Sequence, residues 1–195
     1  MEQNLIINKL VLALANTFIL VLILPMLGFV IDKIIRAIIS IPKGYTTRKI
    51  VLFLVNRVAF IGTVHHELAH MLVAIITGAK VVNVNLFKPQ GGSLGNVLII
   101  PRGPSLLQKF QLAATAVAPM ILGALSEYLL YTKLLPLYLS GWQHWLLIYV
   151  IVSIGLHMTM SMADLKCYVK GIVPLSPILF IVVYITNFSI ENFIG

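Results

Sequence analysis

The sequence predicts an all-α polytopic membrane protein of about five transmembrane helices, with a small β-hairpin between the second and third. Three observations lead there. The 195 residues are 59% hydrophobic and only 10% charged, with a mean hydropathy of +1.00. A soluble domain is about 45–50% apolar and about 25% charged, so this composition cannot cover a water-facing surface. The apolar residues also gather into stretches long enough to cross a hydrocarbon core of ~30 Å. Between the second and third stretches the pattern switches from continuous to alternating. Composition excludes a soluble enzyme, a disordered chain and a coiled coil.

Each element follows from its residues. Leu10 to Ile31 is 22 residues without a charge and is expected to be a retained first span, since Ala13-Leu14-Ala15 lies inside the run and not after it as a cleavage site would. Between Asp32 and Lys49 lie Lys33, Arg36, Lys43, Arg48 and Lys49, a stretch suited to a short interfacial helix that Pro42 and Gly44 break. The second segment, Ile50 to Ala79, is interrupted by Asn56, Arg57, His65, His66, Glu67 and His70 and should stop at Gly78. From Val81 to Ile100, Val82, Val84 and Leu86 alternate with Asn83 and Asn85, and Lys88-Pro89-Gln90-Gly91-Gly92 makes the turn of a hairpin. The third span runs roughly from Phe110 to Tyr131, with small residues that let helices approach closely. The fourth runs from Trp142 to Ala163 and the fifth from Ile172 to Phe188. With no repeats or long linkers, residues 1–195 form a single membrane-embedded domain.

The formal net charge of +8 comes from 14 Lys and Arg against six acids. The basic residues sit mostly between apolar stretches, where they meet anionic headgroups, so the expected surroundings are a lipid bilayer and not nucleic acid. The acids are Glu2, Asp32, Glu67, Glu127, Asp164 and Glu191, and any acidic chemistry draws on those. The lone Cys167 excludes a disulfide framework and a cysteine-rich zinc site.

His66-Glu67-Leu68-Ala69-His70 reads H-E-x-x-H. Residues four apart share a helix face, so both imidazoles can bind one zinc ion, with Glu67 beside it as general base. At the chain's own His and Glu frequencies, chance supplies roughly 0.003 such matches. Three ionisable groups in five membrane-embedded residues are costly unless they have a use. Zinc needs a third protein ligand if water is to hold the fourth position; Ile76 stands where a metzincin has its third histidine, which leaves Asp164, Glu127, His157 or Cys167. His157 is a candidate oxyanion donor or a packing histidine, and His65 projects away from His66.

Further pieces accompany the motif: His66 through Ala74, Thr77-Gly78-Ala79-Lys80, Gly91-Gly92-Ser93-Leu94-Gly95, Ala118-Pro119, and Ser161-x-x-Asp164-Leu165-Lys166. Over about Val64 to Gly171 the chain resembles the site-2 protease family of intramembrane zinc metalloproteases, especially its short, PDZ-less bacterial members. The resemblance implies one Zn2+ per chain held by His66, His70 and Asp164, with Glu67 as catalytic base. Many members carry Pro-x-x-Pro and Asp-Gly around the ligand aspartate, whereas here Asp164 precedes Leu165 and no proline is near before it. The implied substrate is a single-span membrane protein or a signal-peptide remnant, with the hairpin edge open to an extended segment. A polar cavity is expected near Thr63, His66 and Glu67. The alternatives are a zinc-binding membrane protein without peptidase activity, a membrane metalloprotease with Glu127 as third ligand, and a transporter with a polar midplane site.

Loop charges divide almost evenly. Lys33, Arg36, Lys43, Arg48, Lys49 and Lys133 fall on one side, and Lys9, Lys80, Lys88, Arg102, Lys109, Lys166 and Lys170 on the other. The family likeness and the slight majority together point to a multi-pass protein of the cell membrane with its active site towards the cytoplasm.

Overall fold

The computed structural model describes residues 2–41, 58–86, 95–138 and 140–189, with the single positions 47, 50 and 53. The uncharged N-terminal run forms α1 (Glu2–Phe18), passes through a π-helical stretch at Ile19–Ile23, and continues as α2 (Leu24–Ser40). Pro25 has no N–H to give the Val21 carbonyl four residues back. The Tyr168 hydroxyl donates to that carbonyl at 3.0 Å, fastening this rod to the last helix. The expected span to Ile31 and the expected interfacial helix after it are one continuous helix to Ser40, within which Asp32 and Arg36, one turn apart, pair with each other at 2.8 Å. Pro42 and Gly44, and Asn56 and Arg57 of the second segment, lie outside the described residues.

α3 (Phe60–Ile76) carries the H-E-x-x-H residues. It stops where the sequence predicts. Gly78 takes a φ of +84°, which glycine adopts without a Cβ penalty, and the Ala79 N–H returns to the Ala74 carbonyl at 2.8 Å. The chain then enters β1 (Lys80–Asn85), which pairs antiparallel with β2 (Asn96–Ile100). Lys80 faces Ile100 and Asn85 faces Asn96, with a bulge between Val81 and Asn83. The hairpin is therefore present, while its turn at Lys88–Gly92 lies outside the described residues.

α4 (Ser105–Leu129) packs against both α3 and α6 (Met162–Thr186). Its buried Ala113 and Ala116 join Met120, Met160 and Tyr168 in the apolar core, as the small-residue pattern suggested. Gln111, fully buried, bonds the Thr77 carbonyl and the Arg102 N–H at 2.9 and 2.8 Å, clamping the end of α3 to the start of α4.

The second half departs from expectation at one point that matters. α5 (Trp142–His157) ends early, and α6 begins at Met162, not near Ile172. Ser161 caps α6 reciprocally: its Oγ accepts from the Asp164 N–H at 3.2 Å, and the Asp164 carboxylate accepts from the Ser161 N–H at 3.0 Å. Asp164 therefore stands in the first turn of the last helix, not at the end of the fourth span.

Among the described residues, three helical stretches are long and apolar enough to cross a membrane: Ile6–Ile38, Ser105–Leu137 and Met162–Thr186. α3 and α5, with 17 and 16 residues, are shorter. Each reaches only about 25 Å at the helical rise.

Candidate metal centre

On α3, His66 and His70 stack one turn apart and their Nε2 atoms come within 3.1 Å of each other. The opposite nitrogens decide what this means. His66 Nδ1 lies 2.8 Å from the His157 carbonyl, and His70 Nδ1 lies 2.7 Å from the Thr115 carbonyl. A carbonyl only accepts, so each Nδ1 carries the proton, and in the neutral rings both Nε2 lone pairs face one another. Two such lone pairs repel unless a cation lies between them.

Asp164 supplies the third donor. Ser161 engages its Oδ2 through both N–H and Oγ, leaving Oδ1 to face His70 Nε2 at 3.5 Å. The three ligand atoms lie within 4.8 Å of one another. A tetrahedral zinc with ligands at ~2.0–2.2 Å has ligand–ligand edges of about 3.3–3.6 Å, and two of the three spacings here, 3.1 and 3.5 Å, come close to that. The group formed by His66, His70 and Asp164 can hold a metal ion, and it is the group of this kind among the described residues.

Glu67 is buried in the same cavity of about 260 Å³, which β2 borders through Asn96, Val97 and Ile99. The Val97 backbone N–H donates to the Glu67 carboxylate. Gly95 permits this closeness, because a Cβ there would fall 2.4 Å from Glu67 Cγ. The hairpin thus lies along the catalytic candidate, with one strand against it.

The remaining sequence candidates lie elsewhere. His157 Nδ1 donates to the Ser153 carbonyl at 2.8 Å and its Nε2 accepts from Thr63 Oγ at 3.0 Å. That imidazole is a packing group, and its residue serves the centre through the backbone carbonyl on His66. Thr63 is buried in this contact and does not line the cavity, against expectation. His65 turns to Ser126 at 2.9 Å. Glu127 lies against Gly155 on α5 and outside the metal-capable group. Cys167, exposed and one turn past Asp164, lines the cavity without joining that group.

Sequence reasoning passed over three contributors. The Thr115 and His157 carbonyls orient the histidines, and a backbone acceptor has no residue-type signature. Arg36 lines the same cavity as Asp164 and Cys167, although the charge count assigned it to the face opposite Lys166. The Ser161-x-x-Asp164 pattern was itself a helix-start signal that could have located Asp164 correctly. No protein-family model matches the chain, nor does any curated protein or solved structure.

Proposed function

We propose that the protein is an intramembrane zinc metalloendopeptidase, with His66, His70 and Asp164 holding one zinc ion and Glu67 as the general base. The observation that carries the reading is the convergence of two Nε2 lone pairs and one carboxylate oxygen beside a buried glutamate in one cavity. Zinc bound there would supply a water acidified towards a pKa of ~7 and a Lewis acid for the scissile carbonyl.

The chain's own residues do the rest. The Nδ1 bonds to the Thr115 and His157 carbonyls hold the imidazoles as Nε2 donors, and Ser161 holds Asp164 with Oδ1 forward. Glu67 takes the proton of the attacking water at its carboxylate and returns it to the leaving amine. A transmembrane helix hides its peptide bonds, so the substrate must arrive extended. The β2 edge beside Glu67 supplies backbone groups to which such a segment can add as a strand. The substrate is a single-span membrane protein or a signal-peptide remnant. We read α3 and α5 as the two further passes of a five-pass domain in the cell membrane, its active site towards the cytoplasm.

Elemental analysis of detergent-purified protein, beside cleavage of a single-span substrate peptide, tests the reading. About one zinc per chain, kept in Glu67→Gln and lost in Asp164→Ala, with cleavage only by the unmutated protein, is the expected result. No zinc in the unmutated protein after resupply overturns the proposal. Zinc without cleavage of any single-span substrate leaves a metal-binding membrane protein in its place.

A further inference from the structure

Arg36 is the cationic side chain that lines the cavity beside the metal-capable group, and its setting is unusual for an arginine near the end of a membrane helix. Its Nε donates to both oxygens of Asp32, at 2.9 and 2.8 Å. Asp32 is only 7% exposed, whereas the Arg36 side chain is 55% exposed. An arginine that merely reaches headgroups needs no partner, since its own stem lets it snorkel. Burying an acid on an apolar helix is expensive and calls for a purpose.

Here the purpose is orientation. Engaging Nε fixes the guanidinium plane and leaves the two terminal amino groups, with four N–H donors, unpaired among the described residues. The helix that carries the arginine is itself fastened to the site. Gly28, Asp32 and Arg36 are each four residues apart and share one face of α2. The Gly28 carbonyl accepts from the Met160 N–H at 3.1 Å, immediately before the Ser161 that holds Asp164. Although it shares the cavity with Glu67 and Asp164, Arg36 forms an ion pair with neither.

We propose that Arg36 is a substrate-positioning residue whose free fork binds a carboxylate of the membrane peptide, either a free C-terminus or an Asp or Glu side chain near the bond to be cut. The planar fork matches a carboxylate bidentately, which a lysine cannot do. This inference rests on the peptidase reading for the nature of the ligand. It adds a selection rule: of two otherwise equal peptides, the one carrying the carboxylate binds better.

The test is fluorescence anisotropy with a labelled synthetic peptide of about 20 Leu and Ala residues. Three forms are compared, with a C-terminal carboxylate, with a C-terminal amide, and with an amide plus one Glu near the C-terminus. The protein is the detergent-purified full chain carrying Glu67→Gln, with and without Arg36→Gln or Arg36→Lys. The carboxylate forms should bind about tenfold more tightly than the amide. That preference should vanish in Arg36→Gln and return only in part in Arg36→Lys. Preference for the first or the third form tells a terminal from a side-chain carboxylate. Equal affinity for all three forms overturns the proposal without reference to any variant. A preference that survives Arg36→Gln overturns it as well. So does Arg36→Gln changing only the affinity for phosphatidylglycerol vesicles, which would assign the guanidinium to lipid. Cleavage of the same peptides by the zinc-loaded unmutated protein separates the two readings. Cleavage without carboxylate preference removes only the role of Arg36; preference without cleavage removes only the peptidase.

Discussion

Two histidine clusters share helix α3, and they are built on opposite principles. In one, Thr63, His157 and Ser153 form a closed chain: the Thr63 hydroxyl gives to His157 Nε2, and His157 Nδ1 gives to the Ser153 carbonyl. Every donor meets an acceptor, and the result joins α3 to α5. In the other, the bonds on the far side of His66 and His70 leave two acceptors and a carboxylate oxygen aimed at a common point. Both clusters place imidazoles between apolar helices. What separates structure from site is whether the lone pairs are consumed within the protein or left to converge.

The contrast is most sharply broken by removing a converging donor. Asp164→Ala should take zinc from about one per chain to near none, read by elemental analysis, and should abolish cleavage. Glu67→Gln should spare the zinc and lower cleavage by about 10²–10⁴-fold, read in a peptide assay, since it removes proton transfer alone. Gly95→Ala drives a methyl group into Glu67. It should lower turnover by about tenfold while zinc content stays unchanged.

In the closed cluster the pattern reverses. Thr63→Val leaves His157 Nε2 without its donor and should destabilise the fold by about 1–2 kcal/mol in a thermal or denaturant assay, with zinc retained. Tyr168→Phe frees the Val21 carbonyl opposite Pro25 and should weaken docking of the N-terminal helix by about 1 kcal/mol, again without loss of metal. If Thr63→Val stripped zinc, the division between the clusters would fail.

The elements were legible where local chemistry decides them. Gly78 ends α3 because the left-handed turn demands glycine, and the Val82–Asn85 alternation yields a strand. The last two helices were misdivided because Asp164, Lys166 and Lys170 read as a charged stretch between two spans, while the break depends on Ser161 capping Asp164. Ile31 was taken as the end of a span because a charge follows it, yet Asp32 and Arg36 pair with each other on one helix that runs unbroken to Ser40. The role of His157 lay open because a histidine's partners on another helix leave no trace in the order of residues.

Composition and spacing by themselves determined that this chain forms helices long and apolar enough to cross a bilayer and that His66, Glu67 and His70 gather on one turn of helix, because hydropathy and the helical repeat are properties of neighbouring residues. Tertiary structure alone decided that Asp164 and not Glu127 faces those histidines, that β2 lies over Glu67, and that Arg36 enters the cavity. Those facts join residues far apart in the chain, and only the packing of α2, α3, α4 and α6 fixes such distances.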